Sequence, residues 1–570
     1  MKAKTFLFFI IALGFFLRVY NLTSYPTGFT QDEAGIGYDA YSILKTGRDS
    51  WGEYLPLSLR SFGDFKLPLY SYLAVPSIAL FGLNEFAVRL PNAVIGTLAI
   101  YATYLLVKEL RRGDSKLEIG PPTGGWNLEI LAATLLAVSP WHLPLSRGAF
   151  EANLTTFFIP FGIYSFWKGL RNPKWLVVSA LTFGLSLFSY HAARFFVPPM
   201  LALLIYVNAE ALMKLVREKK YRTWVVISTV TLLLFIIPAC FSTIGKASAR
   251  PLDVTILNPT DKWQAVADRR YVAYLQGLPD LISRVFSNKA VYVFELFTTN
   301  YFTYISPYYL FIQGAGEWTY GMIPGQGVLY LFESVFVFAA LIAFVRERGF
   351  KYMNFFLLWL ILSPIPAALT KGPGYAANRA ALMMPAIQVI SAYGAFVLWI
   401  GLKNSIRPLT FKYVLIGIFS LLAIFNIAKF TENYIYHAPV QSAESMHYGI
   451  KETGKYVASI EYRYDNIVVS RTLSVPNIWI AFFEKWDPVD YQNESKSWLV
   501  YEQNGYKFLD QLDGYRLGKY IFGSINSSYR DKNVLVVGKP DEFKYNVPAI
   551  KTIYYPSGRP AYLIVEGKDL

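Results

Sequence analysis

Residues 86 to 107, FAVRLPNAVIGTLAIYATYLLV, form an almost unbroken apolar run, and Lys108, Arg111, Arg112 and Lys116 follow it at once. A helix needs ~20 apolar residues to cross the hydrocarbon core of a bilayer, so this run can span. The basic residues place its end on the cytoplasmic side, because short inside connectors carry the excess of Lys and Arg. Upstream, Lys2 and Lys4 precede a first apolar run that ends near Val19 with no small-residue cleavage site after it. That run reads as an uncleaved span with a cytoplasmic N-terminus. Only one crossing fits between an outside loop and an inside connector. The intervening Leu67 to Phe81, short and rich in Tyr and Pro, is therefore a juxtamembrane or re-entrant helix, and the first outside loop covers about 20 to 85.

The same alternation continues through apolar stretches near 128 to 145, 153 to 167, 175 to 190, 195 to 213, 223 to 243, 326 to 345, 352 to 369, 380 to 400 and 413 to 431. The six inside stretches (the N-terminus, 108 to 118, 168 to 174, 214 to 222, 346 to 351 and 403 to 412) hold 20 Lys/Arg against five Asp/Glu. The expected architecture is a polytopic α-helical protein of the cell membrane with about 11 spans, N-terminus cytoplasmic and C-terminal region extracytoplasmic. Composition agrees: of 570 residues 54% are hydrophobic and only 16% charged, against about a quarter in soluble domains.

The net charge of +15 suggests nucleic acid until it is located. Residues 437 to 570 hold 16 Lys/Arg and 16 Asp/Glu, so the excess lies on the membrane connectors, and no nucleic-acid partner is expected. A single cysteine, Cys240, excludes an internal disulfide framework and a Cys-based zinc site.

Two domains are expected: a membrane domain over 1 to 436 and a soluble α/β domain over 437 to 570. The membrane domain has a second large outside segment, 244 to 325, whose aromatic runs such as Tyr301-Phe302-Thr303-Tyr304 suggest amphipathic helices on the membrane surface. In the tail, helical stretches at Ser442 to Ser459 and Asn477 to Phe483 alternate with strand-like runs at 467 to 470, 519 to 522, 534 to 537 and 561 to 565.

The strongest chemical signal is Thr30-Gln31-Asp32-Glu33, shortly after the first span. Two readings fit together. Acidic residues before Ala34 to Leu44 cap a helix start, and a carboxylate anchored there is well oriented as a general base. Farther on, Gly63-Asp64-Phe65-Lys66-Leu67-Pro68-Leu69-Tyr70 returns a lysine to the membrane edge, either to snorkel among head groups or to meet an anion. The loop then reaches Asn84-Glu85-Phe86-Ala87-Val88-Arg89-Leu90-Pro91.

This ordered series resembles the polyprenyl-phosphate-dependent glycosyltransferases of the GT-C class, the group that includes protein O-mannosyltransferases and lipid A aminoarabinose transferases. Ser139-Pro140-Trp141-His142, Ser146-Arg147-Gly148-Ala149-Phe150-Glu151, Tyr190-His191-Ala192-Ala193-Arg194 and Gly325-Gln326-Gly327-Val328-Leu329-Tyr330 extend the resemblance over roughly 5 to 400. It implies a GT-C fold and transfer of a sugar from a polyprenyl-phosphate-linked donor to a protein, lipid or glycan acceptor at the outer face. Asp32 matches the family's catalytic Asp, Glu33 completes its acidic pair, and Lys66 matches the basic residue near the donor phosphate. Where some relatives have an Arg-Tyr pair this chain has Gly35-Ile36-Gly37-Tyr38. Phe65 stands where some relatives place an acidic residue, so no metal site or other cofactor is expected there.

The chemistry is coherent by itself. A phosphate-linked sugar carries its own leaving group, so the protein supplies a base for the acceptor hydroxyl and cations for the departing phosphate. Asp32 fits the base, and Lys66, Arg194 and Arg379 fit the cations, all at the outside rim. Arg147, Glu151 and His191 are further donor or acceptor candidates, although Arg147 and Glu151, four apart, can equally pair with each other, and Arg194 can snorkel. An oligosaccharyltransferase is the nearest alternative. That family's Trp-Trp-Asp motif meets only Lys485-Trp486-Asp487-Pro488 here. A polymerase or ligase of lipid-linked glycans stays open too. A transporter fits less well, because the charges gather at one rim and no inverted repeat is visible.

Overall fold

The computed structural model describes residues 3 to 111, 127 to 244, 255 to 257, 259 to 346, 351 to 371, 377 to 405, 409 to 530 and 532 to 570. Parts of the inside connectors 108 to 118, 346 to 351 and 403 to 412, and of the outside segment 244 to 325, lie outside the described residues.

Every apolar run read as a span carries a helix. The series begins with α1 (Ala3–Val19), passes through α4 (Glu85–Arg111) and α5 (Leu128–Ala137), and ends with Ala386–Ser405 and Leu409–Glu432. Among the described residues four helical segments are long and apolar enough to cross a membrane: Glu85–Arg111, Lys219–Ser242, Ala381–Leu402 and Thr410–Gln441. A fifth counts if His191–Val207 and Ala209–Arg217, bent by 75°, form one span. The remaining runs yield shorter helices. The run at 128 to 145 breaks after α5, before Ser139-Pro140, and the run at 326 to 345 becomes helical only at Glu333.

The segment 20 to 85 contains α2 (Gln31–Thr46), a two-stranded hairpin of β1 (Leu59–Arg60) and β2 (Phe65–Lys66), and α3 (Leu69–Phe81). At 1.5 Å per residue the 13-residue α3 is roughly 20 Å long, too short for a ~30 Å hydrocarbon core. It packs instead between α2 and α4. The segment after 255 forms helices Pro259–Leu275, Asp280–Phe286 and Lys289–Ile305, with Trp263, Tyr271, Tyr274, Phe294 and Phe302 exposed.

The tail holds a six-stranded sheet in the order β4-β5-β3-β6-β8-β7, formed by β3 (Asn466–Ser470), β4 (Tyr515–Leu517), β5 (Tyr520–Gly523), β6 (Val534–Gly538), β7 (Ala549–Tyr554) and β8 (Pro560–Glu566). The central β3 runs parallel to β5 and β6, and all other pairings are antiparallel. Four strands fall where the apolar runs place them, whereas β4 and β7 and the helix Pro488–Trp498 carry no comparable signal. The first tail helix starts at Ile450 rather than near Ser442, because Gly449 takes φ +90° just before it. The helical segment Thr410–Gln441 passes through 436 without a break.

One continuous core joins α2, α3 and α4 to the sheet region. α2 is buried all round from Glu33 to Ala40, and helix Pro476–Phe483 packs against it. At Gly37 a Cβ would lie 2.5 Å from Val88 Cγ2 and 2.7 Å from Phe482 Cε2, so glycine is what lets α4 and the tail helix close on α2 from two sides. Tyr38 Oη donates to the Trp486 carbonyl at 3.1 Å, and Gln492 Nε2 donates to Ser42 Oγ at 3.0 Å and to the Asp49 carbonyl at 3.0 Å.

Candidate active site

The start of α2 organises the site. Thr30 is the N-cap: its side chain accepts from the Glu33 N–H at 3.2 Å, while Glu33 Oε2 accepts from the Thr30 N–H at 3.0 Å. This reciprocal capping box satisfies two backbone donors and fixes the first helical turn. Asp32 lies in that turn, and the hairpin brings β2 across it. Lys66 Nζ sits 2.8 Å from Asp32 Oδ1, with the lysine side chain 5% exposed and the aspartate 34%. The ammonium carries three N–H donors, so directions remain for another anion beside Asp32. The Phe62 ring lies 5.3 Å from the same nitrogen. Burial works against the Lys66 charge, but Asp32, Glu151 and Asp64 outweigh it and hold the ammonium above its ordinary range.

Asp32 and Lys66 open onto a cavity of about 340 Å³ that Glu151, His191 and Arg379 also line, with Phe195, Leu257 and Leu369 among its apolar walls. Five residues scattered from 32 to 379 thus meet in one space. Each is held by its own element. His191 opens helix His191–Val207 and its Nε2 donates to the Phe65 carbonyl at 3.3 Å, next to Lys66. Glu151 begins the short 3₁₀ turn Glu151–Leu154. Arg379 Nη1 donates to Thr370 Oγ1 at 3.1 Å and to the Lys371 carbonyl at 2.6 Å.

Three expected site residues are placed elsewhere. Glu33 is fully buried behind Asp32, where Arg89 grips both its oxygens, at 2.8 Å through Nε and 3.0 Å through Nη2, and the Ala149 N–H adds a bond at 3.0 Å. It does not line the cavity. Arg147 closes the C-terminal end of α1 instead, donating to the carbonyls of Leu17, Tyr20 and Tyr25, with 2.6 Å to Tyr20. A cation there complements the carbonyl end of the helix dipole. Arg194 turns toward the Leu187 carbonyl at 3.0 Å and Ser242 Oγ at 2.8 Å, one helical turn away from the cavity-lining His191. That turn leaves it about 60° round from His191, and it does not line the cavity.

Sequence reasoning passed over Arg89, although the Arg-Leu-Pro motif contains it. Besides Glu33, its guanidinium binds the carbonyls of Leu22, Pro26 and Gly28 at 3.0, 3.0 and 2.6 Å, and so fastens the chain leading into α2. Tyr190, from the motif that holds His191, also lines the cavity, as do Tyr320 and Asn378, which have no local signal of their own. Among the described residues no group of three or more His, Cys, Asp or Glu is placed to hold a metal ion.

No protein-family model matches the sequence, and no curated protein matches it either. By structure the chain is similar to ArnT from Cupriavidus metallidurans bound to undecaprenyl phosphate, with a TM-score of 0.51 at 12% identity, covering 98% of this chain and 97% of that one. The apo oligosaccharyltransferase of Archaeoglobus fulgidus gives a TM-score of 0.49 at 16% identity over 94% of this chain and 69% of its own. For the same organism's AglB in complex with an inhibitory peptide and a dolichol-phosphate, the TM-score is 0.46 at 16% identity over 84% of this chain, which spans only 63% of that protein's length. With a likeness to ArnT that runs through nearly all of both chains, this membrane protein has the GT-C fold that the sequence resemblance implies, a helical membrane part followed by a C-terminal sheet domain.

Proposed function

We propose that the protein transfers a sugar from a polyprenyl-phosphate-linked donor to an acceptor hydroxyl at the outer face of the cell membrane, with Asp32 as general base. The observation that carries this reading is the Asp32–Lys66 pair, 2.8 Å apart in a cavity otherwise largely apolar and lined also by Arg379. A carboxylate and two cations lining one largely apolar cavity suit a reaction whose donor is already activated. The acceptor oxygen bonds to the anomeric carbon as its proton passes to Asp32. The bond from that carbon to the phosphate oxygen breaks, and the lipid phosphate leaves with the electron pair. A single displacement of this kind inverts the anomeric centre.

Lys66 serves two states. Before the donor binds, it holds Asp32 ionised; with the donor in place, it stays beside Asp32 and gives its remaining N–H directions to the phosphate. Arg379 supplies a second charge for the phosphate, while Glu151 and His191 shape the space for the sugar. Glu33, Arg147 and Arg194 hold the scaffold and do not touch substrate. The undecaprenyl phosphate bound to ArnT supports a lipid-phosphate donor for this fold. The topology belonging to this reading has 11 spans, a cytoplasmic N-terminus, a membrane domain over 1 to 436 and an extracytoplasmic domain over 437 to 570, with the cavity at the outer rim.

The test uses purified protein with a panel of radiolabelled polyprenyl-phosphate sugars and membrane extract. Asp32→Asn should lower turnover by ~10²- to 10⁴-fold, the scale of general-base catalysis, with donor affinity little changed. Lys66→Ala should weaken donor binding as well as turnover. Near-normal turnover in Asp32→Asn would sink the mechanism, because asparagine keeps the shape of aspartate, and Thr30 and Glu33 keep the cap, but asparagine cannot take the proton.

A further inference from the structure

The start of α2 is also held from the tail. The Phe29 N–H donates to the Met446 carbonyl at 2.9 Å. Gly28 permits that approach: at φ +78°, a Cβ would stand 2.0 Å from the Met446 oxygen. The next tail residue, His447, has φ +52°, and its ring lies 5.5 Å from Trp479, which in turn is 6.5 Å from Phe29. The residue before His447 is thus fastened to the chain three residues before Asp32, and the imidazole lies within electrostatic reach of both Asp32 and Lys539. Neither ring nitrogen makes a hydrogen bond among the described residues, and the side chain is only partly covered.

Burial, then Lys539, push the imidazole down to about 4 despite Asp32, so it is neutral at pH 7. A neutral imidazole offers one N–H donor and one acceptor nitrogen. That is the complement of a hydroxyl whose proton points at a carboxylate and whose oxygen needs a donor. The surroundings agree. Lys539 follows β6, and Met446 to Gly449 lead into the helix before β3. Those two strands are parallel neighbours, and β3 has its other parallel partner, β5, on the opposite side. Open α/β sheets bind ligands beyond the carboxyl ends of parallel strands where the strand order reverses in this way.

We infer that His447 is the acceptor-side binding residue: its imidazole donates to the incoming hydroxyl oxygen while the hydroxyl proton faces Asp32, and the acceptor enters along the carboxyl ends of β3 and β6. The inference rests on the glycosyl-transfer reading above and assigns to the sheet domain a part in the reaction itself. A purely structural His447 would only fill the turn against Trp479.

Partition of the donor sugar between water and added alcohols separates the two. The full-length protein is given radiolabelled polyprenyl-phosphate sugars with methanol, glycerol or methyl glucoside as acceptor probes, and free sugar and glycoside are counted. His447→Asn preserves a residue type at home with positive φ and keeps an N–H donor but shortens its reach, and His447→Gln restores the reach. The glycoside-to-free-sugar ratio for glycerol and methyl glucoside should fall about tenfold in His447→Asn, the scale of one hydrogen bond, and recover in His447→Gln. Equal ratios in the unaltered protein and His447→Asn, or no recovery in His447→Gln, overturn the assignment. So does hydrolysis by the unaltered protein without transfer to any of the alcohols. Neither hydrolysis nor transfer from any donor would instead defeat the glycosyl-transfer reading, and this inference with it.

Discussion

Asp32 and Glu33 are neighbours with opposite surroundings, because successive residues on a helix point about 100° apart. One faces the cavity; the other is fully buried with Arg89. A buried pair of this kind is a liability once broken, since the remaining charge has no water to return to. Arg89→Leu should cost roughly 3–5 kcal/mol of stability, read as a large fall in thermal unfolding temperature. A buried pair of carboxyls, Asp39 and Asp49, belongs to the same loop. Burial pushes the Asp39 carboxyl up to about 6, and burial together with Asp39 pushes Asp49 up to about 7, against backbone N–H bonds from Ser50, Trp51 and Glu53. Both folded-state values lie above the unfolded one, so the folded protein holds more protons between pH 4 and 7 and its stability falls as pH rises through that window. Unfolding followed at pH 5 and pH 8 should show this loss, and Asp49→Asn should reduce it. Of the residue-scale picture, Asp32 and Lys66 were legible because each lies in a short polar motif close to an apolar run. The work of Arg89 was not, because its carbonyl partners at Leu22, Pro26 and Gly28 are brought to it only by folding.

At the scale of elements, local chemistry predicts α2 well. Thr30 and Glu33 cap its start, and Gly47 at φ +69° ends it. Thr30→Ala should cost about 1 kcal/mol, visible as a modest drop in unfolding temperature. Its effect on turnover should exceed what that drop accounts for, because the cap also orients Asp32. Elements without a strong apolar period escaped the sequence. β7 alternates poorly and has register breaks at Ala549/Lys551 and Ile553/Tyr554, and β4 has three residues. The helix Pro488–Trp498 is polar over most of its length, although Asp487 caps it through the N–H groups of Val489 and Asp490.

For the whole molecule, the charge asymmetry of the connectors makes a direct prediction. In a Cys240→Ala background, a cysteine at Ser497 should react in intact cells with an impermeant thiol reagent, and one at Lys220 should not; both positions are exposed. Labelling at Lys220 would invert the layout. Apolar run length, the bias of Lys and Arg, and the turn and cap residues act through nearest neighbours and the bilayer, so the chain by itself determines where helices form, that the protein enters a membrane, and where its first acidic pair lies. Which charged side chains share a cavity is another matter. Arg147, Arg194 and Glu33 are as charged and as near the rim in sequence as Glu151, His191 and Arg379, yet only the latter three join Asp32 and Lys66. Only the tertiary structure decides this, because a side chain's direction follows the phase of its helix, and its partner is whichever carbonyl, carboxylate or cavity the packing of distant segments sets before it.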